Sequence, residues 1–183
     1  MQKIFAAFVG LCLVASGAAA SPMTGEKTVY LTEGAGGGVP IADIVFEPHP
    51  DGAAYTITMR EAPFTDHFLS MRPFKCLEGS AKHWCHVPYP YEIRRVVSSS
   101  DLTDLEYDLL FLWKESTEYG INMWNGVYYQ LSEKGEQFEG KLNEIDMNVL
   151  AAPPEDGNLR PIGPEDITEA DPESHWLPRL VIK

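Results

Sequence analysis

Short runs that alternate apolar and polar residues recur along this chain about every ten residues, and Gly or Pro falls in most of the gaps between them. Residues 28–32 (TVYLT), 54–60 (AYTITMR), 127–131 (VYYQL) and 138–142 (FEGKL) show the pattern. A period of two sends successive side chains to opposite faces, so these runs read as half-buried strands. Within 54–60, Tyr55, Ile57 and Met59 share one face, and Thr56, Thr58 and Arg60 the other. The 14 Pro and 15 Gly leave few windows long enough for a helix. Residues 44–47, 91–97 (YEIRRVV) and 144–150 (EIDMNVL) extend the strand list, with residues 132–136 (SEKGE) as a turn. One short helix is expected over 104–107, capped by the polar run 98–101. Residues 109–113 (LLFLW) read as a helical turn leading into a strand. The predicted fold is therefore mainly β: an antiparallel sandwich or small barrel with one short helix.

From residue 153 the composition shifts, with six prolines and seven carboxylates by residue 178. That describes an extended acidic tail, and its apolar end, Leu180-Val181-Ile182, is suited to dock as a last strand. At the other end, Lys3, the apolar run 4–14 and Ala18-Ala19-Ala20 have the layout of a secretory signal cleaved after Ala20. The expected organisation is a signal over 1–20, a β-rich domain over 21–152 and a tail over 153–183 packed on it. Such a chain is periplasmic or secreted, with no membrane span after cleavage.

Export decides the cysteines. Cleavage removes Cys12, and an oxidising compartment joins Cys76 to Cys85. Charge decides against nucleic acid: 14 Lys and Arg against 27 Asp and Glu give −13, which repels phosphate. The glycine run 34–38 is followed by Val39-Pro40 and not by a helix start, so it reads as a loop and not a phosphate cradle.

Reactive side chains concentrate between Asp66 and Tyr91. Asp66, His67 and Ser70 have the residue types of an acid, base and nucleophile, and His83 is a second candidate base. Cys76, His83, Cys85 and His86 are soft-metal ligand types, although their spacing fits no zinc finger and the disulfide competes. Glu144, Asp146 and Asn148 would line one face of a strand as hard oxygen ligands. Aromatic density offers a ligand or partner surface, with Tyr119 and Trp124 among loop residues and Trp84 beside Cys85. No motif specifies a family or a cofactor. The leading expectation is an exported, non-enzymatic binding or protein-interaction module with an unidentified protein or small-molecule partner in the cell envelope. It would use an aromatic face and the disulfide-constrained loop. The alternatives are a hydrolase whose base, His67 or His83, is oriented by Asp66 or Glu78, and a metal-carrying envelope protein.

Overall fold

A computed structural model describes residues 21–33, 37–155 and 157–183. The signal segment 1–20 and residues 34–36 of the glycine run lie outside the described residues. The chain runs β1 (Gly25–Thr32), β2 (Gly38–His49), β3 (Gly52–Met59), β4 (Thr65–Phe68), β5 (Pro73–Glu78), β6 (Lys82–His86) and β7 (Val96–Val97). After α1 (Thr103–Asp108) come β8 (Phe111–Glu115), β9 (Gly126–Lys134), β10 (Gln137–Ile145), β11 (Ile167–Glu169) and β12 (Arg179–Ile182). Among the described residues, no helix is long and apolar enough to cross a membrane.

All twelve strands belong to one antiparallel sheet, ordered β4-β5-β6-β8-β9-β10-β12-β1-β2-β3-β7, with β11 on β10. The mainly β class with a single helix is thus what forms, but as one open sheet whose ends, β4 and β7, do not pair. The reason lies in the core. Val29, Ile44, Tyr55, Trp84, Phe111, Tyr129, Phe138 and Ile182 come from eight different strands and meet in one buried cluster. A twisted sheet can bring those faces together only by coiling around them, and Leu105 and Leu109 from the helical region fill the interior. Tyr107, Leu112, Tyr128 and Met147 form a second cluster, reached from the alternate positions of α1, β8 and β9. Inside the main cluster the Trp84 indole N–H donates to Tyr129 (3.0 Å), whose hydroxyl donates to the Leu177 carbonyl (2.7 Å).

Three predicted elements differ from those observed. Of residues 91–97, only Val96 and Val97 pair as a strand. Arg95 breaks the run with a left-handed backbone (φ 51°), and its guanidinium grips Asp108 at 2.8 and 3.0 Å. The hairpin turn is tighter than residues 132–136, because β9 runs to Lys134 and β10 starts at Gln137 around Gly135 at φ 65°. Of residues 144–150, only Glu144 and Ile145 are in a strand. β10 ends at Ile145, and the Asp146 carboxylate caps a 3-10 turn by accepting the Asn148 N–H (2.9 Å).

The acidic segment after residue 153 is woven into the body. β12 lies between β10 and β1, an interior position of the sheet. Upstream of it, Arg160 donates to Asp104 (2.8 Å) and Asp101 (2.6 Å), and the Ile162 N–H donates to the Tyr107 hydroxyl (2.8 Å). Asp104 is almost completely buried, so the guanidinium is its main counter-charge.

Glu106 is also buried on α1. It accepts the Leu131 N–H (2.7 Å) through one oxygen and the Tyr128 hydroxyl through the other. Burial pushes its carboxyl above the ordinary carboxylate range, against the pull of these two donors. A carboxyl whose folded pKa is raised penalises the folded state once it ionises, so its cost grows as pH rises through that pKa and vanishes in acid. Glu106→Gln keeps an acceptor for Leu131 and turns a donor toward Tyr128. Its stability should stay within about 1 kcal/mol of the parent at neutral pH, with this pH dependence removed. Glu106→Ala strands the Leu131 N–H and opens a cavity, costing about 2–4 kcal/mol. Urea unfolding of the three proteins over a pH series measures both effects.

A histidine cluster and an apolar rim beside the disulfide

The register of β4, β5, β6 and β8 decides which reactive side chains share a face. Cys76 lies opposite Cys85, Glu78 opposite His83, His83 opposite Lys114, and His67 opposite Phe74. With a period of two, all of these point to the face away from Leu77 and Trp84, which belong to the main core. Cys76 and Cys85 are joined in a disulfide, with Cα atoms 4.0 Å apart. The hairpin that sets the Glu78–His83 pairing turns at Gly79. A Cβ there would lie 2.4 Å from the Lys82 carbonyl oxygen and 2.6 Å from the Trp176 ring.

On this face His67 Nε2 lies 2.9 Å from Glu78 Oε1, and the rings of His67 and His83 are 5.2 Å apart at 51°. One ligand atom from each of His67, Glu78 and His83 lies within 4.8 Å of the others. His83 is buried, and its Nδ1 has no hydrogen-bond partner. Burial lowers its pKa, assisted by the neighbouring Lys114 ammonium, so the ring favours its neutral form. Lys114 is itself buried and donates to the Glu115 carbonyl (2.7 Å). Chemically the cluster offers a carboxylate-oriented imidazole, able to act as a base, or three metal ligands.

Glu78, and not Asp66, orients His67. Asp66 faces the other way and pairs with Lys75 (3.3 Å). His86 is also on the opposite face, where it contacts the Asp108 carbonyl oxygen (3.0 Å) and packs on Phe111. The four-residue set Cys76, His83, Cys85 and His86 is therefore split, with both thiols oxidised. Glu144 and Asp146 do not form a row of oxygen ligands. Glu144 engages buried His175 (2.9 Å), while Asp146 caps its own turn. Trp84 is buried in the core and presents no surface.

Tyr119 and Trp124 lie outside, 90% and 70% exposed. Their loop is nevertheless held firmly. Asn122 accepts the Trp124 N–H (3.1 Å), the Trp113 N–H donates to the Asn125 carbonyl (3.0 Å), and the Met147 N–H donates to the Met123 carbonyl (2.8 Å). Ile121 packs inward against Leu69, Phe74 and the disulfide. A Cβ on Gly120 would sit 3.9 Å from the Leu69 carbonyl oxygen, so this loop meets the β4–β5 loop. That second loop contributes Met71, and the end of β4 contributes Phe68, which are 98% and 64% exposed. Sequence reading missed both residues, along with Lys114, because neither exposure nor register is written in a local pattern. No protein-family model, no curated protein and no solved structure matches this chain.

Proposed function

We propose that the chain is an exported, non-enzymatic interaction module that holds an apolar segment of a protein partner against the two loops beside the disulfide. One observation carries this reading. Of the six large hydrophobic side chains exposed among the described residues, four (Phe68, Met71, Tyr119 and Trp124) belong to these adjoining segments. Each leaves apolar area in water worth about 25 cal/mol per Å² on burial, and aromatics and Met are enriched where proteins meet. The loops are fixed by Asn122, Ile121 and the disulfide, so a partner finds them ordered in advance. β4 ends the sheet beside them, which gives an extended partner segment a backbone edge to pair with.

Photo-crosslinking in the producing cell tests this. A benzophenone side chain placed at Met71, Tyr119 or Trp124 should give one and the same discrete adduct, and placed at exposed Val45 or Leu159 it should give none. Equal crosslinking at all five positions, or none at the first three, would overturn the reading.

A further inference from the structure

We infer that His67, Glu78 and His83 form a zinc site with three protein ligands and a fourth position open to water. The inference is independent of the interaction surface. It rests on three neighbouring strands, whose backbone ladder brings the side chains to one face without any loop having to close. Ligands at about 2.0–2.2 Å from a tetrahedral ion are roughly 3.3 Å from one another. His67 and Glu78 are already at 2.9 Å, and no ligand pair exceeds 4.8 Å, so the three donors lie within about 1.5 Å of the required spacing.

The donor set narrows the ion to a first-row transition metal, of which zinc is the one proposed. Two imidazoles disfavour calcium and magnesium, which take oxygen, and the disulfide withholds the thiolates that a copper(I) or iron–sulfur site requires. Two His and one carboxylate suit zinc with an open position. His83 is suited to the role on a second count, being largely buried with Nδ1 unpaired. Glu78 is half exposed at the rim, which leaves the remaining position facing solvent. Lys114 stands opposite His83 on the next strand, and its ammonium repels the cation. The ammonium therefore weakens the hold on the metal.

The test is calorimetric titration of zinc chloride into chelator-treated, oxidised mature protein, with near-UV circular dichroism as a check on the fold. The parent should bind one equivalent with a raised melting temperature. His67→Ala and His83→Ala should weaken binding about 100-fold or more, and Glu78→Gln about tenfold or more. Lys114→Met should tighten it several-fold, and His49→Ala, outside the cluster, should leave it unchanged. His67 and Glu78 are partly exposed, so their variants keep the test decisive if His83→Ala fails to fold. Cobalt in place of zinc should give the intense visible absorption of four-coordinate cobalt in the parent and lose it in His67→Ala. No saturable zinc binding by the parent, or undiminished binding by His67→Ala, overturns the inference.

Discussion

Arg160→Ala should lower the unfolding free energy by about 3–5 kcal/mol, a large share of the 5–15 kcal/mol typical of a domain. The cost comes from what remains behind. Asp104 is buried on α1, one of its oxygens already has no partner, and without the guanidinium its charge has no close counter-ion. Asp101, by contrast, is only partly buried and loses less. Adding Asp104→Asn to Arg160→Ala should therefore recover much of the loss, because a neutral amide is cheaper to bury than an unpaired carboxylate. Urea unfolding of the two single variants and the double variant gives the coupling directly. A cost below about 1 kcal/mol for Arg160→Ala would mean that the pair behaves as an ordinary surface ion pair.

Reducing the disulfide should cost about 2.5–3 kcal/mol. The bridge spans a sequence separation of 9, and closing a loop of that size restricts the unfolded chain by this amount in the chain-entropy model. Its location makes the loss local as well as global. Cys76 and Cys85 tie β5 to β6, and β4 hangs on β5 as the sheet's edge, so the bridge fastens this end of the sheet. Hydrogen exchange with and without reductant should show protection falling first over β4 to β6, while β9 and β10 keep theirs. Uniform loss of protection across the sheet would show that the bridge stabilises the molecule as a whole and not this edge.

The strands that sequence reveals most clearly are those whose alternation matches a burial difference between faces. In β3, Tyr55 is buried where Thr56 is exposed, and in β10 Phe138 and Leu142 are buried where Glu139 and Lys141 are exposed. The helix was legible in the polar run before it, but the cap was not: the N-cap is Leu102, which makes no side-chain cap bond, and Asp101 accepts the Thr103 N–H (3.2 Å) from one position earlier. The same kind of residue misleads at Asp146. Alternation over 144–150 mimics a strand, and only the capping bond shows that the backbone has turned. The site was half legible. His67, His83, Glu78 and the cysteines stand out by chemistry, but which of them share a face depends on the register of three strands. Asp66 and His86 lie one position out of phase with the cluster, which sends them to the opposite face. Three buried carboxylates on a six-residue helix could not be read from sequence at all, since their partners arrive from Arg95, Arg160 and the β9 backbone.

The place of β12 bears on the order of events during folding. Its neighbours are β1 and β10, and the β1 pairing joins residues about 150 positions apart, as in Val29 with Ile182. Contacts of such span close late and slow the search for the native state. Until residues 179–182 have been synthesised, β1 and β10 each expose an unpaired edge, and the main cluster lacks Leu180 and Ile182. A nascent chain with this topology stays incomplete along most of its length and acquires its central ladder only when those residues emerge. During that interval the open edges of β1 and β10 are the places where one incomplete chain can pair with another.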